Sequence, residues 1–498
     1  MAAVSVCEMR LAENSAIANG WSEEQLLDLA GIRLGHAIGR FYPNAGTVIG
    51  YLGKGHNAGD TLVALRILRD LYGWEIAIRN AFAIEDCAPL TQQKWRNLDS
   101  LPALDLPPAR SEIANPLLLL DGLLGTGSVG ALGGPLLALA EEMNALRQTA
   151  GARVAAVDLP TGIDADSGAC NLGAVTADVT FMIGNAKRGL LLGHAANYTG
   201  ALALVPVEVL AVEGAGDLEI IAPQTMDFAK CHRPFDFHKG MAGRVAIIAG
   251  SAQYSGAAVL AAVGALRGGG GLITLFVPVS TTDRIASKCP PEIMVRGYSS
   301  FNELTQINCD ALVVGCGIGE LETHAEDALL NVIRSSHAPC VIDADALNLI
   351  AKRNQVGILN DRHVITPHPG EFQRLAPDLV NSPRESAART FVNRVPACLL
   401  LKGSRSVITQ KSQPLWCNST GSPGMATGGQ GDLLAGVIGA RLAIGDAPLE
   451  AAALSAWLCG RSAEISLNDP EISEESLTPC DVANHLGAAF RDWKTSQR

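Results

Sequence analysis

The stretch from Thr420 to Arg441, Thr-Gly-Ser-Pro-Gly-Met-Ala-Thr-Gly-Gly-Gln-Gly-Asp-Leu-Leu-Ala-Gly-Val-Ile-Gly-Ala-Arg, joins a glycine-rich loop to an apolar helix. Gly428, Gly429 and Gly431 permit positive φ and bring backbone N–H groups close to a ligand. The helix beginning near Asp432 aims its positive dipole end at the same point. The pattern reads as an anion site, with Asp432 at its mouth as a group that deprotonates a hydroxyl or holds a metal. The same letters also describe a flexible turn with Asp432 as a helix N-cap, and the rest of the chain decides between the two.

At 498 residues, 48% apolar and 18% charged, the chain is expected to fold as two large or three small α/β domains. A net charge of −12 without any basic run argues against nucleic acid and anionic membranes as partners and points to small polar ligands. The 12 cysteines include no Cys-x-x-Cys pair, and Cys309, Cys340 and Cys398 lie in apolar strand-like runs. That is the pattern of free thiols in a reducing cytoplasm, without a zinc site. Neither a signal peptide nor an apolar run of about 18 residues is visible, so a soluble, cytoplasmic protein is expected. Apolar helical faces predict a homo-oligomer.

Residues from Glu8 to Gly39 have helical spacing, with Ser22 and Gln25 placed as a capping box, and read as a covering element. A strand at Thr47–Leu52, the loop Gly53–Asp60 and a helix through Leu71 make one βα unit. Strands follow at Trp74–Arg79, Leu117–Leu120, Val154–Val157 and Asp178–Met182, with a helix at Pro135–Leu146. Asp121 and Asp158 fall where strands give way to glycine-bearing loops, the place where doubly wound folds hold ligands; capping of the following helix is the plainer reading. Between Val205 and Phe237 prolines and glycines interrupt the pattern, which places the domain boundary there and gives domains of 1–222 and 223–498. A second α/β series follows, with strands at Arg244–Ala249, Leu272–Val277, Ala311–Val314, Cys340–Ile342, His363–Ile365 and Cys398–Leu401. Helices at Gly256–Arg267, Thr323–Ser335, Pro383–Asn393, Asp432–Ala443 and Leu449–Asn468 alternate with them. Gly268 to Gly271 read as a helix C-cap and turn, because a strand comes next.

In this second series, polar groups recur at strand ends: His238-Lys239-Gly240, Gly315-Cys316-Gly317-Ile318-Gly319, Asp343-Ala344-Asp345, Thr366-Pro367-His368-Pro369-Gly370-Glu371 and Lys402-Gly403. One crevice at the carboxyl edge of a sheet would gather them. Singly, each has a plain reading as a cap, a structural histidine or a surface charge.

Together with Gly250-Ser251, Tyr254-Ser255-Gly256-Ala257, Asp343 to Asn348 and the loop through Asp432, these segments resemble the ADP-dependent NAD(P)H-hydrate dehydratases, a branch of the ribokinase-like kinases. The match runs from about His238 to about Ala463. Cys316 stands where that family commonly has proline. Residues from about Glu8 to Pro206 resemble the NAD(P)H-hydrate epimerases, although the family's Asn-Asn-Gly-Gly-Asp-Gly appears as His56-Asn57-Ala58-Gly59-Asp60-Thr61. The fold implied is a Rossmann-like three-layer αβα domain followed by a ribokinase-like αβα domain.

The resemblance implies that the second domain transfers a phosphoryl group from ADP, with Mg²⁺, to the hydroxyl of hydrated NADH or NADPH (NADHX, NADPHX) and then expels phosphate. Asp432 would be the base. Lys402, Gly403, Ser404, Arg405, Ser406, Thr427, Gly428, Gly429, Gln430 and Gly431 would line the nucleotide, and Ala257, Gly317, His368, Pro369, Gly370 and Glu371 the hydrate. In the first domain the resemblance implies a hydrate site along His56, Asn57, Ala58, Gly59 and Asp60, along Gly125, Thr126, Gly127, Ser128, Val129, Gly130 and Ala131, and at Asp158 as acid/base. K⁺ would sit on Asn57, Asp121 and Thr161. The alternative is a vitamin-alcohol kinase carrying a non-catalytic nucleotide-binding first domain. A dehydrogenase is disfavoured, because Glu75 opens its strand instead of ending it where a ribose would need a carboxylate.

Overall fold

The computed structural model describes residues 2–98, 102–104, 116–127, 130–212, 216–223 and 233–496. The chain divides into two compact units, Met1–Ile220 and Ile221–Arg498. Among the described residues no helix is long and apolar enough to cross a membrane.

In the first unit six strands form one sheet: β1 (Thr47–Leu52), β2 (Glu75–Asn80), β3 (Leu117–Gly122), β4 (Arg153–Val157), β5 (Val179–Ile183) and β6 (Ala201–Val205), in the order β2-β1-β3-β4-β5-β6. Every pairing is parallel. A parallel sheet needs cover on both faces, and alternate residues show it. Val48, Leu118, Leu120, Ala155 and Val157 enter one apolar cluster, whereas Ile49, Leu117, Leu119, Val154 and Ala156 enter another. The expected covering element is two helices, Val6–Ala18 and Glu23–Phe41, parted at Gly20, whose φ is +100°. Ser22 caps the second of them in a full capping box with Gln25. Gly31, Gly35 and Gly39 line one face of Glu23–Phe41, and a Cβ on them would come within 2.5–2.6 Å of Val63, Ile67 and Tyr72. This glycine stripe seats helix His56–Tyr72 against its cover.

The second unit is built on a ten-stranded sheet. Its strands are β7 (Leu218–Ile221), at which the division between units falls, β8 (Arg244–Ile248), β9 (Leu272–Pro278), β10 (Ile293–Tyr298), β11 (Ala311–Val314), β12 (Cys340–Ile342), β13 (His363–Ile365), β14 (Cys398–Leu401), β15 (Val407–Thr409) and β16 (Leu415–Asn418). The order is β10-β9-β8-β11-β12-β13-β14-β15-β16-β7. Pairing is parallel from β10 through β14 and antiparallel across β14, β15 and β16. Strands β6, β7, β10, β15 and β16 carry too short or too mixed an apolar pattern to stand out in the sequence. Gly268 caps helix Ser255–Arg267 and Gly269 turns at φ +100°, in keeping with the C-cap reading.

Two glycines bring backbone against backbone beneath the glycine loop. A Cβ on Gly264 would lie 2.2 Å from the Leu433 carbonyl oxygen, and one on Gly436 1.9 Å from that of Ala261. Only glycine permits this approach, so helix Ser255–Arg267 fixes where helix Gln430–Ile444 begins.

Candidate active sites

Both sheets reverse their winding once. The chain goes from β1 to β2 in one direction and from β3 onward in the other; likewise β8 leads to β9 and β10, and β11 to β12 and beyond. At such a reversal the loops leaving the two adjacent strands part and open a crevice at the carboxyl edge. The ligand loops expected from the sequence lie at these two crevices, with one exception. His238-Lys239-Gly240 precedes β8 and packs on the turn before β9, where a Cβ on Gly271 would touch the Lys239 carbonyl oxygen at 2.0 Å. It therefore stands at the amino edge, away from the others. Sequence adjacency to a strand does not reveal which end of the sheet a loop occupies.

In the second unit Gly429 is the N-cap of helix Gln430–Ile444, with φ +96°, and its carbonyl accepts from Leu433 N at 3.0 Å. Of the three loop glycines it alone adopts positive φ; Gly428 and Gly431 leave space instead. A Cβ on Gly431 would sit 3.1 Å from Lys402 Nζ and 3.6 Å from Asp343 Oδ2. The helix thus starts two residues earlier than expected, and Asp432 lies inside its first turn. Burial, then the neighbouring Asp343 charge, pushes the Asp432 carboxyl up to about 6; a hydrogen bond from the Cys316 thiol and the Lys402 charge act the other way. Cys316 itself is enclosed, and burial together with the Asp432 and Asp343 charges drives its thiol far up.

Lys402 Nζ donates to Asp343 Oδ1 at 2.9 Å. Burial disfavours its charge, but Asp343 and Glu371 outweigh that and raise it. Asp343 also caps helix Ala344–Lys352 through Ala344 N, so the capping and site readings hold together. Asp345 accepts from Gly319 N at 2.8 Å and ties the β11 loop to the β12 loop. Gly317, at φ +62°, would place a Cβ 2.7 Å from that of Ala257, which brings these two expected hydrate-side residues together. His368 accepts from Gly370 N and Glu371 N as the N-cap of Pro369–Leu375, while Glu371 accepts in return from His368 N. Lys402 N donates to the Pro367 carbonyl at 2.9 Å and links that loop to the end of β14. Ser406 closes the turn on Gly403. Arg405 is enclosed, 5% exposed, whereas Gly403 and Ser404 before it are exposed.

In the first unit the fully buried Asp121, at the end of β3, accepts from Thr161 N and Thr161 Oγ1, both at 2.7 Å, and from Leu123 N at 3.3 Å. Asn57 Nδ2 donates to the Leu124 carbonyl, and Thr161 Oγ1 accepts from Leu124 N. Asn57, Asp121 and Thr161 are thereby brought together around one loop. Burial pushes Asp121 up to about 6 even though three hydrogen bonds act to lower it. A carboxylate that meets only neutral donors, among hydroxyl and carbonyl oxygens, suits a hard monovalent cation.

His56 opens helix His56–Tyr72 and is exposed. Ala58, by contrast, is 1% exposed in the core, and Thr61 is enclosed with its hydroxyl donating to Asn57 O. Two of the three departures from the epimerase motif therefore face the interior rather than the ligand loop. Gly125, Thr126 and Gly127 follow β3; a Cβ on Gly125 would sit 3.3 Å from Asn57 Cβ. Gly130 turns at φ +102°, and Asn171 Nδ2 donates to its carbonyl oxygen. Ser128 and Val129 lie outside the described residues. Asp158 follows β4 at φ +68°, and the Lys187 ammonium donates to its Oδ1. Asp60 is pushed well up by burial and by the charges of Asp158 and Glu13.

Sequence reasoning missed Lys187 and Glu13. Lys187 stands in Gly-Asn-Ala-Lys-Arg without a periodic or motif signal. Glu13 sits on the covering helix, among residues whose spacing speaks only for packing.

Two family models match the chain: NAD(P)H-hydrate dehydratase over residues 245–486, and YjeF-related protein N-terminus over residues 23–189. The bifunctional NAD(P)H-hydrate repair enzyme Nnr of Gloeobacter violaceus is 35% identical over 509 residues, covering 96% of this chain and 97% of that one. The protein of the same name from Coxiella burnetii is 30% identical over 510 residues, with coverage of 96% and 97%. Among solved structures, the ADP/ATP-dependent NAD(P)H-hydrate dehydratase from Bacillus subtilis, co-crystallized with ATP/Mg²⁺, is 25% identical. It aligns with 53% of this chain and 94% of its own, at a TM-score of 0.45. With such identity along nearly its whole length, the chain belongs to the bifunctional NAD(P)H-hydrate repair enzyme family.

Proposed function

We propose that this protein is a cytoplasmic repair enzyme for hydrated nicotinamide nucleotides. The second unit dehydrates S-NAD(P)HX at the expense of ADP, and the first interconverts the R and S epimers. The observation that carries the reading is Asp432: a carboxyl raised to about 6 by burial, in the first turn of a helix whose glycine N-cap leaves its N-terminal amides without a side-chain cap.

Asp432 takes the proton of the ring hydroxyl as its oxygen attacks the terminal phosphoryl of ADP, and AMP leaves with the bridging oxygen. Amides of Gly428 to Gly431 and the helix N-terminus stabilise the charge on the phosphoryl oxygens in flight. Lys402, held by Asp343, faces the same oxygens, and the Lys402–Ser406 turn lines the nucleotide. Asp343 and Glu371, the carboxylates whose charges act on Lys402, are hard donors that would hold Mg²⁺, and the ion would neutralise nucleotide phosphate charge. The phosphoester is then lost as phosphate with its C–O bonding pair, driven by the ring nitrogen. Loss of a proton from the adjacent ring carbon re-forms the double bond of NAD(P)H. Ala257, Gly317 and the His368–Glu371 loop line the hydrate side.

In the first unit, Asn57, Asp121 and Thr161 would hold K⁺, which would supply a positive charge to orient the hydrate. Residues His56–Asp60 and the loop from Gly125 line the pocket. Hydroxide leaves the hydrated carbon with its C–O bonding pair, water adds to the other face, and the Asp158 carboxylate takes the proton of that water and passes it to the departed hydroxide.

A vitamin-alcohol kinase, the rival reading, would stop at the phosphoester. Incubation with ADP and S-NADHX separates the two: NADH, AMP and phosphate in equal amounts support dehydration, and a stable phosphorylated product without NADH refutes it.

A further inference from the structure

Lys187 is 1% exposed, and an enclosed ammonium is costly unless paired and hydrogen-bonded. It donates to Asp158 Oδ1 and to the Ile183 carbonyl at 2.7 Å, while Ile183 N donates to the same Asp158 oxygen at 3.0 Å. Carboxylate, ammonium and the end of β5 therefore close a ring. The segment bearing Lys187 is fastened on both sides. Val4 N donates to Ala186 O and Arg188 N to Val4 O, and the enclosed Asn185 donates to Leu210 O at 2.6 Å. At the other end of the ring Asp158 holds a left-handed backbone, which costs a non-glycine residue about 1 kcal/mol or more. A strained aspartate locked to a buried lysine is an expensive arrangement for fold stability alone; strain of this kind collects at functional sites.

Two other titratable groups feel both charges of the pair: Glu13 from helix Val6–Ala18 and Asp60 from helix His56–Tyr72. Arg10 and His56 act on Glu13 in turn, and Asp28 on Asp60. Burial and the Asp158 charge raise both Glu13 and Asp60, and Lys187 opposes the rise in each. Lys187 is thus the enclosed cation among three carboxyls.

We propose that Lys187 is a positioning residue of the epimerase site: its ammonium, seated on the Ile183 carbonyl, holds the Asp158 carboxylate in one orientation. This rests on the assignment of Asp158 as the acid/base group. A carboxylate held so is ready to take the proton of the water that returns to the ring.

The test uses the full-length chain, purified R-NADHX, and the variants Lys187→Met, Lys187→Ala and Asp158→Asn. Loss of the ammonium lowers the epimerisation kcat about 100-fold with little change in KM. Propylammonium chloride restores part of the rate to Lys187→Ala and none to Asp158→Asn. Near-UV circular dichroism establishes that the first unit is folded. If it is not, Lys187→Arg decides: a folded variant that keeps more than about a tenth of the parent kcat supports a cation that orients Asp158, and a slower one overturns the proposal. Slow Lys187 variants without amine rescue, or with kcat and KM disturbed together, reduce Lys187 to a structural role and overturn it too. Wild-type epimerisation by Lys187→Met beside an inactive Asp158→Asn defeats the lysine's role alone, whereas wild-type epimerisation by Asp158→Asn defeats the underlying assignment.

Discussion

Asp432→Asn is expected to abolish dehydration and, at neutral pH, to make the second unit more stable. An aspartate in water titrates near 3.8, and burial with the Asp343 charge moves Asp432 to about 6. That difference is worth about 3 kcal/mol, and solvent reaching a partly exposed carboxyl trims it to about 2 kcal/mol. The sign follows from which state ionises first. Below the unfolded value both states are protonated and the group contributes nothing. Between about 4 and 6 the unfolded chain ionises while the folded one does not, so stability falls as pH rises. Above 6 the folded protein carries the whole penalty. Asparagine has nearly the same shape, can still accept from the Cys316 thiol, and carries no charge to bury. Urea unfolding at pH 7.5 and pH 4.5 measures the effect. The two units are expected to unfold in separate steps, and the step that ADP shifts belongs to the second. The variant gains about 2 kcal/mol in that step at pH 7.5 and much less at pH 4.5. A variant no more stable than the parent at pH 7.5, or a gain of equal size at both pH values, refutes the account of what raises Asp432.

Further perturbations read other parts of the two sites. Dehydration kcat/KM falls as pH drops through about 6, where Asp432 takes up its proton; a flat profile down to pH 5 counts against Asp432 as the base. Gly429→Ala costs about 1–2 kcal/mol and raises the KM for ADP, since alanine is strained at φ +96° and its Cβ would meet Leu260 Cδ1 at 2.4 Å; thermal unfolding and initial rates check both. Lys402→Met leaves the buried Asp343 charge unpaired, which costs about 3–5 kcal/mol in urea unfolding. Asp121→Ala orphans donors from Thr161 and Leu123 and costs the first unit about 2–4 kcal/mol. It removes epimerisation and K⁺-dependent stabilisation while S-NADHX is still dehydrated.

Much of the architecture is legible in the letters, because parallel strands buried on both faces are near-continuous apolar runs. Leu117–Leu120, Ala311–Val314 and Cys398–Leu401 are examples. The antiparallel pair β15 and β16 is not, since its short strands owe their order to the neighbouring β14 and not to a pattern of their own. The anion loop is legible because glycine is required where a helix N-terminus must be bare. Its details are not: one positive φ at Gly429 suffices, and space above Gly431 does the rest. His238 shows the limit of reading order along the chain as place in the fold. Lys187 shows another limit, since an ion pair spanning 29 residues leaves no trace in local spacing.

The most direct test of a repair enzyme with two working sites starts from R-NADHX alone, supplied with excess ADP and followed at the NADH absorption band. NADH is expected to form well above the rate of spontaneous epimerisation. The same chain carrying Asp158→Asn should fall back to that spontaneous rate yet still consume S-NADHX at full speed. NADH appearing from R-NADHX only at the spontaneous rate in the unaltered protein contradicts it.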